Sequence, residues 1–313
     1  TRAGSTAGTS SSSETPATSR PSRGVVDDET FARETTSIGA FHRRYSWLAR
    51  TGRLERARRV ALTALARRPD DATSAATSAR ACFACGDAEG GREAMRRHRE
   101  SLKGGDVSVV TLCAWAEAES MVKTREGEAK ARALRREATT STNGTVSEMC
   151  DAWVAFGGHE VEHGRWDKAK KCYTRALKVA EGAEDARTRE SAAVAAHSWA
   201  RLEARRRNPK RARELFVKSV ELCETLVSNY TSWAAFELGR GRSDQARSLF
   251  ERGAAFCRGV EDGAGDRGRA ARRARSMASA LFANWGELEG QCALRADGDA
   301  SSSEETMDKA REL

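Results

Sequence analysis

The chain reads as an all-α solenoid (superhelix) of stacked helix pairs, on three observations. First, one pattern recurs. Trp199-Ala-Arg-Leu-Glu203 precedes Ala212-Arg-Glu-Leu-Phe216 just as Trp233-Ala-Ala-Phe-Glu237 precedes Ala246-Arg-Ser-Leu-Phe250, and the two copies lie 34 residues apart, the length of one helix–turn–helix unit. Second, only 4 of 313 residues are proline, so long helices are permitted, and no strand-like alternation recurs. Third, the chain is 39% hydrophobic and 32% charged. That is lean for one compact core but ordinary for a solenoid, which buries a thin layer between neighbouring helices.

The register assigns each element. Taking the Ala of Ala212 and Ala246 as the anchor of a second helix, further anchors fall at Ala57, Gly91, Ala131, Ala169 and Ala310, giving about seven helix pairs. Four residues past the anchor stand Ala61, Met95, Arg135, Tyr173, Phe216 and Phe250; three further on stand Ala64, His98, Ala138, Ala176, Ser219 and Gly253. Residues at i, i+4 and i+7 share one helix face, so small residues admit a neighbouring backbone and the larger residue between them fills the gap. Gly52, Gly86, Gly164 and Gly241 stand five residues before their anchors, where a tight helix–helix turn requires positive φ.

The first helix of each pair has its own mark. Trp115/Glu119, Trp199/Glu203, Trp233/Glu237 and Trp285/Glu289 share the spacing Trp-x-x-x-Glu. Trp153 is assigned to the same repeat core, with Phe156 in the Trp place before Glu160. Burying a large aromatic side chain stabilises by ~2–3 kcal/mol, which suits a wedge between repeats.

Trp-x-x-x-Glu, then Gly, then Ala-Arg-x-x-Phe resembles the half-a-TPR (HAT) variant of the tetratricopeptide (TPR) repeat. The likeness covers roughly residues 41–313 and is densest over 192–257. Only Pro69 occupies the proline place of an ordinary tetratricopeptide unit, and Ala-Arg at 131–132, 212–213 and 246–247 favours the HAT form. The resemblance implies a non-catalytic RNA-processing factor without a cofactor. Most similar are the HAT-repeat factors that mature and stabilise chloroplast photosystem II messages, which would bind single-stranded RNA, RNA-processing proteins, or both. The alternative is a nuclear HAT scaffold that holds protein partners and its own copies.

Residues 1–40 are set apart from the repeat domain at 41–313. Twelve of the first 22 residues are Ser or Thr, and Glu14 is the only acid among them. Such a stretch buries too little surface to fold and resembles an organelle transit peptide or an ordinary disordered tail. A chloroplast destination is expected, the nucleus being the alternative, and no membrane association. Polar or glycine-rich stretches at Thr139–Ser147, 259–268 and 295–305 are expected to be surface insertions. Lys309-Ala-Arg-Glu-Leu313 copies Arg211-Ala-Arg-Glu-Leu215 and stops where Phe216 would follow, so the last repeat is expected to be incomplete.

The net charge is +9, and 44 of the 54 basic residues are arginine. Excess positive charge attracts polyanions, although Ala, Gly and Arg abound together, as a GC-rich genome would produce. Arginine runs at 56–59, 67–68, 132–136, 205–213 and 269–275 read mostly as solvated faces. In related solenoids the first helices line the groove. In this register Arg50, Arg80, Arg201 and Arg205 lie on or near that face, as candidates for phosphate contact.

Two constellations suggest other chemistry. His159-Glu-Val-Glu-His163 fits His-Glu-x-x-His, the zinc-peptidase helix. Against it, Glu160 is the recurring repeat Glu, no third ligand follows, and Gly164-Arg-Trp turns at once into the next helix. Cys82-Phe-Ala-Cys85 lacks the βαβ setting of a redox motif, and its cysteines, like the other six, read as reduced small core residues. No phosphate loop or nucleophile elbow appears, and no metal or catalytic residue is assigned.

Overall fold

In the computed structural model the described residues are 37–264 with Phe31, Thr35, Ala278, Ser279, 281–287 and Gly290; for 259–264 the backbone alone is described. These residues form twelve helices, paired in order as α1 (Ile38–Arg50) with α2 (Leu54–Arg67), α3 (Ala72–Ala84) with α4 (Ala88–Ser101), α5 (Val109–Ser120) with α6 (Arg125–Ala138), α7 (Val146–Glu162) with α8 (Trp166–Val179), α9 (Ala186–Arg205) with α10 (Pro209–Leu222), and α11 (Val227–Leu238) with α12 (Ser243–Ala264). Helical residues at 281–287 follow. The architecture is a TPR-like α-solenoid: each helix packs on its pair-mate and on the next pair, and first helices lie beside first helices. Six of the seven anchors fall inside second helices; Ala310 lies outside the described residues.

Local chemistry sets the helix limits. Asp71, Ser108, Thr145 and Asp185 cap α3, α5, α7 and α9, each accepting from a backbone N–H three residues on. At Thr145 the N–H in turn donates to Glu148, closing a capping box. Pro209 begins α10, where its missing N–H costs nothing. Between pair-mates the turn residue has positive φ: Gly52 (73°), Gly86 (79°), Gly164 (69°) and Gly241 (74°), with Lys123 (50°) and Arg207 (56°) in the same place of the remaining pairs.

The anchors Ala57, Gly91, Ala131, Ala169, Ala212 and Ala246 are buried, as are Tyr173, Phe216 and Phe250 four residues past theirs. In α7 the seat for Tyr173 is Gly157, where a Cβ would stand 2.5 Å from the ring. Trp115, fully buried, donates its indole N–H to the Ala75 carbonyl of the preceding pair at 3.2 Å. Phe216 stacks on Trp233 and Phe250 on Trp285, with ring centres 5.9 and 5.7 Å apart. A second-helix aromatic ring thus meets the tryptophan of the following repeat. Trp199 is buried and Trp233 half-buried.

Phe156, four residues before Glu160, occupies the core in the Trp place, and half-buried Trp153 stacks on it and packs against the cluster of Cys150, Ala176 and Ala195. One expectation is corrected. The stretch at 259–268 is not an insertion from its start, because α12 runs on to Ala264; isolated glycines cost a helix about 1 kcal/mol each, too little to end it without a proline. The stretch Thr139–Ser147 lies on the surface as expected, Thr142–Val146 being exposed; the Asn143 amide donates to the Asp106 carbonyl, and Val146 and Ser147 already belong to α7. The expectations for 1–30, 269–275, 295–305 and the final Lys309–Leu313 copy lie outside the described residues.

The recurring Glu explains what registers one pair on the next. Glu119, Glu160, Glu203 and Glu237 are at most 4% exposed. A carboxylate so placed demands a cation and hydrogen bonds. At three boundaries the residue after the anchor supplies them. Arg92 Nε and Nη2 donate to the two oxygens of Glu119 at 2.9 and 3.0 Å. Arg132 Nε donates to Glu160 at 2.6 Å, with Arg165 on the other oxygen at 2.6 Å. Arg213 Nε and Nη2 donate to Glu237 at 2.6 and 2.9 Å. The Trp-x-x-x-Glu spacing has its own cause: one turn apart, the indole N–H of Trp199 or Trp233 donates to Glu203 or Glu237, at 2.9 and 3.2 Å.

The boundary between α8 and α9 differs. Lys170 stands where the arginine stands elsewhere, and Glu203 takes its bonds from Trp199 and the Asn208 amide of its own pair. A single ammonium cannot reproduce the two-pronged guanidinium contact.

Arg213→Ala should therefore lower the unfolding free energy by about 2–3 kcal/mol in urea titration, since Glu237 stays buried with its main partner gone. Arg213→Lys should recover less than half of that loss. A loss under 0.5 kcal/mol would assign the ladder no part in stability.

Candidate interaction surface

Side by side, the first helices present a common exposed stripe: Arg43, Ser46 and Arg50 on α1; Thr73 and Arg80 on α3; Val110, Glu117 and, just past its end, Met121 on α5; Ala155 and Glu162 on α7; Arg187, Arg201 and Arg205 on α9. The four proposed phosphate contacts all fall on exposed positions, in different electrostatic settings. Arg50 Nε donates to the Ser46 carbonyl of its own helix. Arg80 is tied to Glu117 across the α3–α5 seam at 3.0 Å. Among the described residues Arg201 and Arg205 pair with no carboxylate, and together they border a recess of about 270 Å³ with Gly158, Glu162 and Tyr173. A further cross-helix pair joins Arg187 to Asp151 at 3.0 Å. The stripe therefore mixes both signs, and among the described residues its cations outside carboxylate pairs stand at both ends, Arg43 and Arg50 on α1 and Arg201 and Arg205 on α9.

A second recess lies on the other side of α9. Arg189, Ala192 and Trp199 follow one another by three and seven residues, on the face turned away from Arg201 and Arg205. They contribute to a recess of about 610 Å³ between α8 and α10. Its apolar lining is Leu177, Ala192, Trp199, Leu215 and Leu222. Arg211 lies over the Trp199 ring with its guanidinium carbon 5.0 Å from the ring centre, and is paired to Glu214 at 2.7 Å. Nothing in the sequence reading marked this place. Its signal is the basic edge of the fourth and fifth second helices, residues 171, 175, 178, 211 and 218, of which the sequence reading took up only 211, within the run at 205–213.

The His-Glu-x-x-His helix is occupied otherwise. Both oxygens of Glu160 are held by arginines. Burial raises its pKa, but the bonds from Arg132 and Arg165 outweigh that and hold it below the ordinary carboxylate value, which leaves no free general base. His159 is buried and its ring lies 4.2 Å from that of His163, which faces Glu128 at 3.5 Å. Among the described residues no three His, Cys, Asp or Glu side chains cluster to hold a metal ion, and no helix is long and apolar enough to cross a membrane. Cys82 is fully buried in α3 and Cys85 caps the helix; burial pushes the Cys82 thiol up to about 11. The core slot of α6 holds Arg135, 8% exposed, donating to the Ala116 carbonyl and the Ser120 hydroxyl; burial lowers its pKa.

No family model matches the chain, and no curated protein matches it. Among solved structures, it is similar to pilF of Pseudomonas aeruginosa (14% identity over 69% of this chain and 89% of that one, TM-score 0.44). It is also similar to BtubC of P. vanneervenii (20% identity, 77% and 90%, TM-score 0.48) and to the C-terminal part of a TPR repeat-containing protein of Cytophaga hutchinsonii (12% identity, 83% and 98%, TM-score 0.45). At these scores the fold assignment rests on the chain's own helix pairs.

Two buried histidines give the surface's supporting layer a pH dependence. Burial pushes His159 and His197 down to about 4, with Arg135 and His163 adding to the effect at His159 and Arg201 at His197. In the unfolded chain each titrates near the ordinary 6.5, so on acidification the unfolded state takes the proton first. Their stabilisation is complete above that value and drains as pH falls toward 4. The thermal midpoint should fall between pH 7 and pH 5, with about 2 kcal/mol lost per histidine at pH 5. His197→Gln should flatten the dependence, and an unchanged slope in that variant would exclude His197 as its source.

Proposed function

We propose that the chain is a non-catalytic scaffold of RNA-processing type, whose shared first-helix face holds protein partners. The observation that carries this is the mixture of both charges along the middle of that face. Arg80–Glu117 and Arg187–Asp151 are closed pairs, and Glu162 lies between them and the α9 cations. A strand of phosphates laid along the stripe would meet three carboxylates, whereas a polypeptide can match both signs and cover the exposed Val110 and Met121. Self-association is an extension of the same reading, since a helix face of mixed charge can match a copy of itself. The RNA-processing setting rests on the resemblance of the repeats to HAT units. The Ser/Thr-rich start supports a chloroplast destination, with the nucleus as the alternative; a fluorescent fusion of residues 1–40 distinguishes them.

One observation favours a second reading, single-stranded RNA. Arg201 and Arg205 are exposed, unpaired and adjacent across one helical turn, the arrangement that contacts neighbouring phosphates.

A photo-crosslinking residue placed at Ala155 and, separately, at Arg201 tests both in cells. The scaffold reading expects protease-sensitive adducts from Ala155. Nuclease-sensitive adducts from both positions would replace it by the RNA reading, and no adduct from either would remove both.

A further inference from the structure

We propose that the recess between α8 and α10 is a second docking site, for an acidic polypeptide segment that carries a large apolar side chain. It lies on the side of α9 away from the first-helix face, so it stands independently of the scaffold reading.

Its apolar floor is built where the ladder is interrupted. At the other described boundaries from α4 onward an arginine of the second helix reaches across to the next Glu. Here Lys170 makes no such bond, Glu203 is satisfied within its own pair, and the recess opens between α8 and α10 over Trp199. The opening of about 610 Å³ has room for one or two large side chains.

Charge decides what kind of segment fits. Lys178, Arg189 and Lys218 stand on three different helices around the opening, all exposed, and none is paired with a carboxylate among the described residues. Of the two carboxylates at the rim, Glu214 is already neutralised by Arg211, which leaves Glu181 against three free cations. An apolar floor ringed by cations suits an apolar anchor flanked by Asp or Glu: burial supplies affinity, and the ring supplies orientation and on-rate. A bare phosphate chain would leave the floor unused.

The test uses the full chain and three fluorescent probes: a short peptide with a Leu-Phe core between Asp/Glu runs, the same core between Lys runs, and a short single-stranded RNA. The acidic peptide should bind saturably and the lysine peptide should not. Lys178→Glu combined with Lys218→Glu should weaken the acidic peptide at least about tenfold, while Arg201→Glu with Arg205→Glu should leave it unchanged. Thr174→Trp, from an exposed position at the mouth, should also weaken it by filling the opening. Absence of saturable binding, equal binding of the lysine peptide, indifference to the charge reversal or to Thr174→Trp, or preference for the RNA would each overturn the proposal.

Discussion

A buried carboxylate in each first helix from α5 to α11 is the constraint around which that part of the stack is arranged. Glu119, Glu160 and Glu237 stand at the seams between pairs, out of reach of water. Each is stable there only because the preceding second helix delivers a guanidinium to it. Apolar contact is non-directional and would tolerate a helix sliding by a turn. A two-pronged arginine–carboxylate contact does not, since both bonds are lost together. Burial of Trp115, Phe216 and Phe250 supplies the cohesion, and the ion pairs supply the registration.

The same arrangement accounts for the spacing of the sequence motif. The indole four residues before the Glu is a wedge against the previous pair and also a donor to the carboxylate in Trp199 and Trp233. Its one-turn separation is the reach of that bond. The small residue before each Arg, Gly91, Ala131 or Ala212, lets the second helix approach closely enough for the side chain to cross the seam. Ala-Arg and Trp-x-x-x-Glu are therefore two halves of one contact.

This contact was only half legible beforehand. The 34-residue period, the buried anchors and the glycine turns could be read from single positions, because each depends on its own helix. The pairing of Arg92 with Glu119, or Arg213 with Glu237, joins residues 27 and 24 apart on different helices, and no local period exposes it. The loop at 259 misled because glycine was read as a stop where an established helix could carry on. On the surface, Arg80 and Arg201 looked alike in sequence, and only the position of Glu117 on the next helix separates them.

Asn208 gives the chain an order. A pair whose second helix carries Arg after its anchor can be followed by any pair that exposes a needy Glu. A pair carrying Lys170 can be followed only by one that supplies its own donor, and the fifth does so through the Asn208 amide, 3.1 Å from Glu203. The repeats are thus not interchangeable modules. Transposing the fifth with the sixth would set Glu237, which relies on a visiting guanidinium, behind a lysine. Succession along this solenoid is a grammar of donors and acceptors, written at its joints and independent of whatever its faces bind.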